Sequence, residues 1–310
     1  MEDYSFHEQL PDGVTFGFEI SLFNDSRHLA LQSADGWNSF YAINHKHQRA
    51  DAIFSAHLRE QVARSLLKSP FGGFEFSDDL PLPVLFQFIS FIEARLKSKG
   101  AASIVIKNPP HDYTPENASL IEVFLVNHGY QTADAEAGCI LHAHDPRLEI
   151  NTWEKRKLRQ AIEAGLSFRQ LSLERFDEVY FFILACRKKK NYELSMTLAD
   201  LRHAISYFPD RYILFVAEAN EKIVAASISV KVKEKILYNF YVDHDQEWDH
   251  LSPVVFLIEK MYRFVQENKM DALDLGTAAL DGKPNFGLLD FKIRLGGKAT
   301  TKFTFRKILN

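Results

Sequence analysis

The sequence contains very little cysteine and no long apolar run. Only Cys139 and Cys186 occur among 310 residues, and neither belongs to a C-x-x-C pair. A disulfide framework or a thiolate metal cluster is therefore not expected, and the chain suits a reducing compartment. The most apolar stretch, residues 80–96, is interrupted by two prolines, a glutamine and a glutamate. We predict that it forms a buried helix beginning near Pro83, and we predict no membrane span.

Several well-known catalytic motifs are also absent. The sequence has no G-x-S-x-G, P-loop, G-x-G-x-x-G or H-E-x-x-H pattern. Serine hydrolase, P-loop nucleotidase, Rossmann and zinc-protease functions therefore have no support. The pairs "HKH" (45–47) and "HAH" (142–144) each place two imidazoles on one strand face, but no third ligand is evident, so we predict no metal. The first ten residues lack a basic region followed by an apolar one, so we expect no signal peptide and a cytoplasmic location.

The composition is that of a globular protein with a large aromatic core. Hydrophobic residues make up 46% and charged residues 25% of the chain, and 26 residues are phenylalanine. The 37 basic and 41 acidic residues give a formal net charge of −4. This balance argues against a uniformly basic nucleic-acid surface, and we expect no DNA partner, although a local basic groove is compatible with it.

Hydrophobic periodicity indicates that one order of elements occurs twice along the chain. In each half, a meander of antiparallel strands is followed by helix, strand, helix and strand. The strands predicted for the first half are residues 14–23, 39–47, 49–60 and 102–107. The second-half meander is predicted at 212–219, 222–233 and 235–243. We predict an α/β (α+β) chain of two domains, 1–147 and 148–310, each a mixed, largely antiparallel sheet flanked by helices.

This repeated order resembles the GNAT superfamily of acyltransferases, and the tandem arrangement resembles its FemAB/FemX-like branch. The stretches "LDLG" (273–276) and "NFGLLDFKIRLGGK" (285–298) are similar to the terminal signature of that branch. The signature is a glycine-bearing strand, a Phe-Lys pair and a Gly-Gly helix stop. The resemblance implies transfer of an acyl or aminoacyl group onto an amine, with the active site in the second half.

Lys292 is the first candidate for a catalytic residue. On a helix, Leu288, Phe291 and Leu295 form one apolar stripe, and Lys292 lies at its edge. From this position its ammonium either reaches a cleft or extends into solvent. The resemblance implies the first role, in which a cation stabilises the oxyanion that develops when an amine attacks an ester or thioester carbonyl. It also implies Asn285 and Phe291 as substrate contacts.

The strand "ILYNFYVDHD" supplies further candidates. Asn239, Tyr241 and Asp243 alternate along it and share one face. In the resembling fold the corresponding strand borders the cleft for the acyl donor, so we predict that Tyr241 or Asp243 accepts a proton from the amine and that Asn239 binds substrate. The alternative is a polar outer face, with Asp243 belonging to the turn that follows.

The segment after this strand departs from the pattern of acetyl-CoA-dependent members of the superfamily. They usually carry an R/Q-x-x-G-x-G/A loop whose amides bind pyrophosphate, whereas "HDQEWDHLSP" (244–253) contains no glycine. A helix beginning at Ser252 and Pro253 still offers its amino terminus to an anion. Acyl-CoA, such as acetyl-CoA, is the predicted cofactor, but this departure weakens the prediction.

Two basic clusters, "EKRKLRQ" (154–160) and "CRKKKN" (186–191), are candidates for binding phosphate groups of a nucleotide, CoA or tRNA. The alternative is that they form solvated helix faces. The phosphate-binding residues predicted from these clusters are Arg156, Arg159, Arg187 and Lys188.

The first half contains one further candidate region. FemAB-like chains have a Gly-Gly pair near their substrate cleft, and "SPFGGFEF" (69–76) is similar. The resemblance implies that Phe71, Gly72 and Gly73 contact substrate, and Tyr113 in a rigid connection is added to them. A bulge or turn is the structural alternative for the glycine pair, and a loop tip is the alternative for Tyr113.

The predicted function is transfer of an acyl group from an acyl-CoA-type thioester to a primary amine of a small molecule or peptide. One alternative is an aminoacyl-tRNA-dependent, FemX-like ligase, against which the net acidic charge argues mildly. Another is a non-catalytic domain pair that binds a ligand or partner, because the pyrophosphate loop is missing and no acid–base constellation stands out. The sequence does not define the oligomeric state.

Overall fold

The computed structural model of the protein describes residues 3–144, 148–280 and 282–309. Within these ranges the chain alternates short strands and helices in the manner of a mixed α/β protein. No helix in the described part is both long enough and apolar enough to cross a membrane. The predicted helix at 80–96 is present as Leu82–Ser98, and most of its apolar residues are buried, whereas Leu82 and Phe86 are exposed.

The chain divides into two compact units. The first comprises Met1–Glu136 and Thr300–Asn310, and the second comprises Ala137–Ala299. The chain passes from the first unit to the second within the strand Gln131–His142 and returns within the strand Lys298–Ile308. The predicted domain boundary followed residue 147, which lies outside the described residues.

The first unit is built from short strands and three helices. Its strands are β1 (Tyr4–His7), β2 (Thr15–Phe16), β3 (Trp37–Asn44), β4 (Arg49–Arg59), β5 (Val62–Arg64), β6 (Glu75–Phe76), β7 (Ser103–Lys107) and the beginning of β8 (Gln131–His142). Its helices are α1 (Ser26–Gln32), α2 (Leu82–Ser98) and α3 (Pro115–Asn127).

The sheet of the first unit has the strand order β1-β3-β4-β5-β7, continued by the last residues of the chain in β16 (Lys298–Ile308). Helix α2 packs on this sheet because Leu85, Phe88, Ile89 and Ile92 recur at helical spacing and are buried. They meet buried strand residues of β3, β4 and β7 in one hydrophobic core.

The segment 14–23 differs from its prediction as a strand. Only Thr15–Phe16 pairs with β4, and the segment ends in a 3₁₀ turn at Leu22–Asn24. Phe16, Phe18 and Ile20 nevertheless pack against the outer face of β3 and β4. Their alternation therefore reflects burial of one face of the segment rather than pairing in a β-ladder. Hydrophobic periodicity alone does not distinguish these two arrangements.

The second unit follows the predicted order of elements closely. Its strands are the end of β8, β9 (Ser167–Leu171), β10 (Tyr212–Ala219), β11 (Lys222–Lys233), β12 (Ile236–His244), β13 (Ala272–Thr277), β14 (Ala279–Leu280) and β15 (Lys283–Pro284). Its helices are α4 (Thr152–Glu163), α5 (Phe176–Lys189), α6 (Leu198–Tyr207), α7 (Pro253–Glu267) and α8 (Phe286–Arg294).

The sheet of the second unit has the order β8-β13-β12-β11-β10-β9. All neighbouring strands are antiparallel except β12 and β13, which are parallel. Helix α7 connects these two strands and buries Phe256, Leu257, Met261 and Val265 in the core beneath the sheet. Both units are thus mixed, largely antiparallel sheets flanked by helices, as predicted.

One buried imidazole makes the first unit sensitive to acid. His28 of α1 is 8% exposed and lies edge-on to the Phe23 ring. Burial lowers the pKa of His28 from 6.5 to about 4, and the charge of Asp25 opposes this only weakly. The folded state therefore binds this proton less readily than the unfolded state. The contribution is intact above about pH 6.5 and is lost as the pH falls toward 4.

We expect His28→Leu to flatten the pH dependence of stability between pH 6.5 and 4. The shift corresponds to about 3 kcal/mol of unfolding free energy at the acid end. Urea unfolding of the intact chain at several pH values measures this slope. The exposed His47 of the same unit gives the control variant His47→Gln, which should keep the wild-type slope. Equal slopes for the two variants would contradict the assignment.

Candidate functional site

The parallel strands β12 and β13 separate and leave a cavity between them. Their pairing ends at Tyr238 and Asp274, although β12 continues to His244 and β13 to Thr277. A cavity of about 830 Å³ lies there, bounded by both strands and by parts of α4, α5, α7 and α8. We call the space between residues 239–244 of β12 and 275–277 of β13 the wedge.

A β-bulge lies on the β12 side of the wedge. Ile228 of β11 pairs with Tyr241, and Ser229 pairs with Asn239, so Phe240 is the extra residue. A bulge bends its strand and alters the direction of nearby backbone groups. Beyond Tyr238, no β12–β13 pair forms among the described residues, so this edge of β12 faces the cavity rather than a neighbouring strand.

Lys292 lines the cavity and is 7% exposed. Its Nζ donates hydrogen bonds to the carbonyl oxygens of Gly276 at 3.0 Å and Thr277 at 2.9 Å. Asp290 and Arg294 form an exposed ion pair on α8. Lys292 is therefore more deeply buried than a residue at the edge of a solvent-facing stripe, and its charge lies at the β13 wall of the wedge.

The end of α8 fixes the position of Lys292. Gly296 has a φ of 93°, its N–H donates to the Ile293 carbonyl, and the Gly297 N–H donates to the Lys292 carbonyl. This is the double hydrogen-bond pattern of a Schellman stop. An added Cβ at Gly297 would lie 2.7 Å from the Lys292 carbonyl oxygen. The predicted role of the glycine pair as a helix stop is confirmed.

Gly276 gives the β13 wall its shape. Its φ is 75°, and its N–H donates to Asp274 Oδ1 at 2.6 Å. An added Cβ would lie 3.3 Å from Cε2 of Tyr238. The left-handed backbone and the close ring both favour glycine at this position.

Asn239 is 5% exposed and contributes to the cavity wall at the bulge. Its Oδ1 accepts a hydrogen bond from Ser227 Oγ at 2.7 Å, and Ser227 Oγ is 2.8 Å from Ser229 Oγ. This buried polar group fixes the orientation of the amide. Asn239 thus lines the cavity, and its contact with substrate stays a prediction.

Asp243 also lines the cavity, where two cations hold it. Its carboxylate lies 3.0 Å from Arg187 Nε and 2.6 Å from Lys190 Nζ, and Arg187 Nη2 donates to the Val242 carbonyl. The carboxylate is 6% exposed, so this pairing compensates its burial. The two cations thus occupy the carboxylate of Asp243, and its role as a proton acceptor stays a prediction.

Tyr241 has a different environment. Its hydroxyl is 2.6 Å from Ser195 Oγ and accepts the Met196 N–H at 3.0 Å, and the residue is not part of the cavity wall. Burial raises the pKa of Tyr241, an effect that hydrogen bonds from Ser195 and Met196 oppose. The hydroxyl connects β12 to the segment between α5 and α6.

The remaining predicted residues of the second unit are divided between the cavity and the surface. Asn285 caps α8 by accepting the Leu288 N–H at 3.0 Å, and Asn285 and Phe291 both line the cavity. Arg187 is the one predicted phosphate ligand in the cavity wall. The other three are exposed, and the guanidinium of Arg156 lies over the Trp153 ring. The exposed set comprises Arg156, Arg159 and Lys188.

The candidates from the first half belong to the first unit. Phe71 is 3% exposed and packs edge-on against Phe23 and Tyr113. A Cβ at Gly72 would lie 2.0 Å from the Ser65 carbonyl oxygen, and Gly73 has a φ of 103°. These features account for the glycine pair by packing, and substrate contact by these residues stays a prediction.

Sequence reasoning did not identify several residues of the cavity wall. Lys157 lies 3.1 Å from the fully buried Glu154, and His244 Nε2 lies 2.6 Å from Asp249 Oδ1. Lys190, the partner of Asp243, was in a recognised basic cluster but was not chosen. Helical phase places Lys157 beside the buried stripe of α4, and this was the available signal.

No group of three His, Cys, Asp or Glu side chains converges to hold a metal ion in the described ranges. The absence of a metal stays a prediction.

Comparison with known families assigns the second unit. Residues 153–291 match the model of the acetyltransferase (GNAT) domain, so this part of the chain is a GNAT domain. No curated protein matches the sequence significantly.

Solved structures share the architecture of the whole chain. FemX has a TM-score of 0.69 at 11% identity, covering 93% of this chain and 92% of its own. L-PGS from Bacillus licheniformis has a TM-score of 0.59 at 13% identity, covering 93% of each chain. A tandem GNAT protein from the clavulanic acid biosynthesis pathway has a TM-score of 0.50 at 11% identity, covering 88% and 83%. At these identities the likeness shows the fold, and the predicted GNAT/FemX-like tandem fold is confirmed.

The assignment extends to reaction class. The GNAT domain makes the protein an enzyme of the N-acyltransferase type, as predicted. Neither the donor nor the acceptor follows from the match.

We expect Gly276→Ala to destabilise the second unit more than Gly165→Ala does. Both glycines have a φ between 75° and 78°, but a Cβ at Gly165 meets nothing within 4 Å. Each substitution should cost about 1–2 kcal/mol for the left-handed backbone, and Gly276→Ala should add the displacement of the Tyr238 ring. Chemical denaturation of the two variants measures the difference. Equal losses would show that the Tyr238 contact carries no energy.

Proposed function

Starting from the GNAT domain at residues 153–291 and the FemX-like tandem fold, we propose that the second unit transfers an acyl group from an activated donor to a primary amine in the wedge. The observation that carries this proposal is the buried cation of Lys292 at the wall of a cavity opened by strand separation. The acceptor is the primary amine of a small molecule or peptide.

The reaction proceeds by attack of the amine nitrogen on the acyl carbonyl carbon. A C–N bond forms, and the carbonyl oxygen becomes negatively charged in the tetrahedral intermediate. The carbon–oxygen or carbon–sulfur bond to the leaving group then breaks, and the leaving alkoxide or thiolate takes up a proton. The amine loses its proton to water in the open cavity, because Asp243 is held by two cations and Tyr241 does not line the wall.

Lys292 stabilises the oxyanion through its charge. Two of the three ammonium N–H groups are directed to the carbonyls of Gly276 and Thr277, so these bonds fix the position of the cation. A fixed positive charge needs no rearrangement when the oxyanion forms, which is the main source of electrostatic catalysis.

The β12 edge of the wedge positions the donor. From Asn239 onward this backbone has no β13 partner, so an extended donor arm with amide groups can pair with it as an added strand. The Asn239 amide, held by Ser227, adds a side-chain contact at the bulge. A thioester with a pantetheine-like arm, as in acyl-CoA, suits this edge.

A charged tRNA is the alternative donor. Its support is the exposed basic surface of α4, where Arg156 stacks on Trp153 and Arg159 is exposed. Binding of aminoacyl-tRNA should then weaken steeply with salt, because phosphate contacts release counterions. A non-catalytic, ligand-binding role is supported by the pairing of Asp243 with two cations and by the position of Tyr241 outside the cavity wall, and absence of turnover with every donor and amine would favour it.

We expect Lys292→Met to lower the turnover of amine acylation by about 10²-fold or more, because the charge next to the reacting carbonyl is lost. Mass spectrometry of the acylated amine, with acetyl-CoA or S-acetylpantetheine as donor and a panel of primary amines, measures it. Two buried carbonyls lose their donor in this variant, so a stability loss of about 1–3 kcal/mol is also expected. Assays are therefore run well below the melting temperature.

Two further variants separate charge from hydrogen bonding. Lys292→Gln keeps an N–H donor without the charge and should be as slow as Lys292→Met. Lys235→Met removes a lysine whose ion pair with Asp271 is exposed, and it should be as active as wild type. Full activity of folded Lys292→Met would refute the role of the cation. Full activity of Lys292→Gln would show that the residue acts by hydrogen-bonding the wall carbonyls and not through its charge.

A further inference from the structure

Helix α4 carries a carboxylate on the face that it buries. Leu158 and Ala161 of this helix pack in the core of the second unit. Glu154 lies one turn before Leu158 on the same face and is fully buried. Replacement of a buried ion pair by well-packed apolar residues is often neutral or stabilising, so the stability of the fold alone gives no reason for a charge here.

Two cations hold the Glu154 carboxylate. Arg294 Nε donates to Oε1 at 3.2 Å. Lys157 Nζ donates to Oε1 at 3.3 Å and lies 3.1 Å from Oε2. Both cations are partly exposed, whereas the carboxylate is not, so the carboxylate is the most deeply buried member of the group.

Each of these cations connects Glu154 to the wedge. Lys157 itself lines the cavity. Arg294 is the last residue of α8 and follows Lys292, which also lines the cavity, by two positions. The ammonium of Lys292 can keep its place only if this turn of α8 keeps its place.

The end of α8 is joined to the start of α4 through Arg294. Its side chain binds Glu154, and its backbone carbonyl accepts the Asn151 N–H at 2.8 Å. The second ion pair of Arg294, with Asp290, lies within α8 and does not connect the helix to another element. Glu154 is therefore the charged group that ties Arg294 to a different helix.

We propose that Glu154 is a positioning residue that fixes two cations of the wedge, Lys157 directly and Lys292 through Arg294 and the last turn of α8. The proposal rests on the proposed oxyanion role of Lys292 and adds the residue that holds this lysine in place. A group that is misplaced by about 1 Å can cost about 10²-fold in rate, so a contact outside the reacting centre controls turnover.

The first test needs neither donor nor acceptor. Competitive labelling of the folded full chain with trace acetic anhydride, followed by mass spectrometry of the lysine peptides, measures the reactivity of each amine. Glu154→Gln should raise the labelling of Lys157 and Lys292 by about threefold or more, because both side chains become more mobile.

The matched control is Glu259→Gln. Glu259 is a buried carboxylate of α7 that pairs with Lys260 and Arg263, and it is not among the described residues of the cavity wall. This variant should raise the labelling of Lys260 and leave Lys157 and Lys292 at the wild-type level. It thereby shows that the method detects a lysine released from a buried carboxylate.

A second variant, Arg294→Gln, separates the two routes. It should raise the labelling of Lys292 and leave Lys157 unchanged, because Lys157 keeps its pair with Glu154. Arg294 is partly exposed, so this variant tests the route to Lys292 even where Glu154→Gln does not fold.

Steady-state kinetics test the link to the reaction. Glu154→Gln should lower kcat about tenfold and keep KM within about twofold, because the oxyanion exists only in the transition state. In the Lys292→Met background the same change should alter kcat by less than about twofold, since a residue that acts through Lys292 then has no further effect.

Unchanged labelling of Lys292 in both Glu154→Gln and Arg294→Gln would overturn the proposal. Equal losses of kcat from Glu154→Gln in the wild-type and Lys292→Met backgrounds would also overturn it. Increased labelling of Lys292, together with no acylation by wild type for any donor and amine, would leave the positioning role standing and refute the proposed function.

Discussion

Two hydrogen bonds from one buried ammonium hold the site of the second unit open. Backbone carbonyls at the end of β13 lose their strand partners once β13 leaves β12, and buried carbonyls without donors are costly. Lys292 supplies the donors for Gly276 and Thr277. These bonds offset the cost of unpaired carbonyls where the strands separate, and the cavity depends on that separation. The same two bonds fix a positive charge at the cavity wall, and the proposed stabilisation of the oxyanion depends on that charge.

The position of Lys292 in turn depends on glycine. The Schellman stop at Gly296 and Gly297 ends α8 within about one turn of Lys292. Any side chain at Gly297 would clash with the Lys292 carbonyl. Gly276 lets β13 bend where the ammonium binds. Three glycines and one lysine in the last 35 residues of the chain thus act as one structural unit. For this reason the stretches 273–276 and 285–298 predicted more of the site than any other part of the sequence.

Elements with long, regular periods were predictable, and contacts between elements were not. The second-half meander, α7 and α8 were found within a few residues because their apolar spacing is set by the sheet and helix repeat. Helix α1 was missed because seven residues with two buried side chains give almost no period. The segment 14–23 was misread because its alternation comes from packing on a sheet face.

The candidate site shows the same limit. Lys292 and Asn239 were predicted from their positions on a helix face and a strand face and from the family resemblance, and both line the cavity. That Tyr241 is bonded to Ser195, or that Arg187 and Lys190 neutralise Asp243, depends on which helix packs over β12, which no local pattern encodes. A basic cluster read alone resembles a phosphate site. In the structure Arg187, Lys189 and Lys190 of this cluster pair with Asp243 and Asp245, and phosphate binding by the cluster stays a prediction.

The backbone fold and the side-chain charges therefore determine different properties of the site. The separation of β12 and β13 is a property of the backbone, and it is compatible with any donor whose arm can lie along a strand edge. The charge at the end of that edge is a property of a few side chains, and it can change without altering the fold. Because Asp243 and Asp245 pair with cations of the cluster 186–191, removal of either carboxylate would free a cation as well as delete a negative charge. These charges therefore belong to this chain's own side chains, and the architecture that the chain shares with its structural neighbours does not determine them.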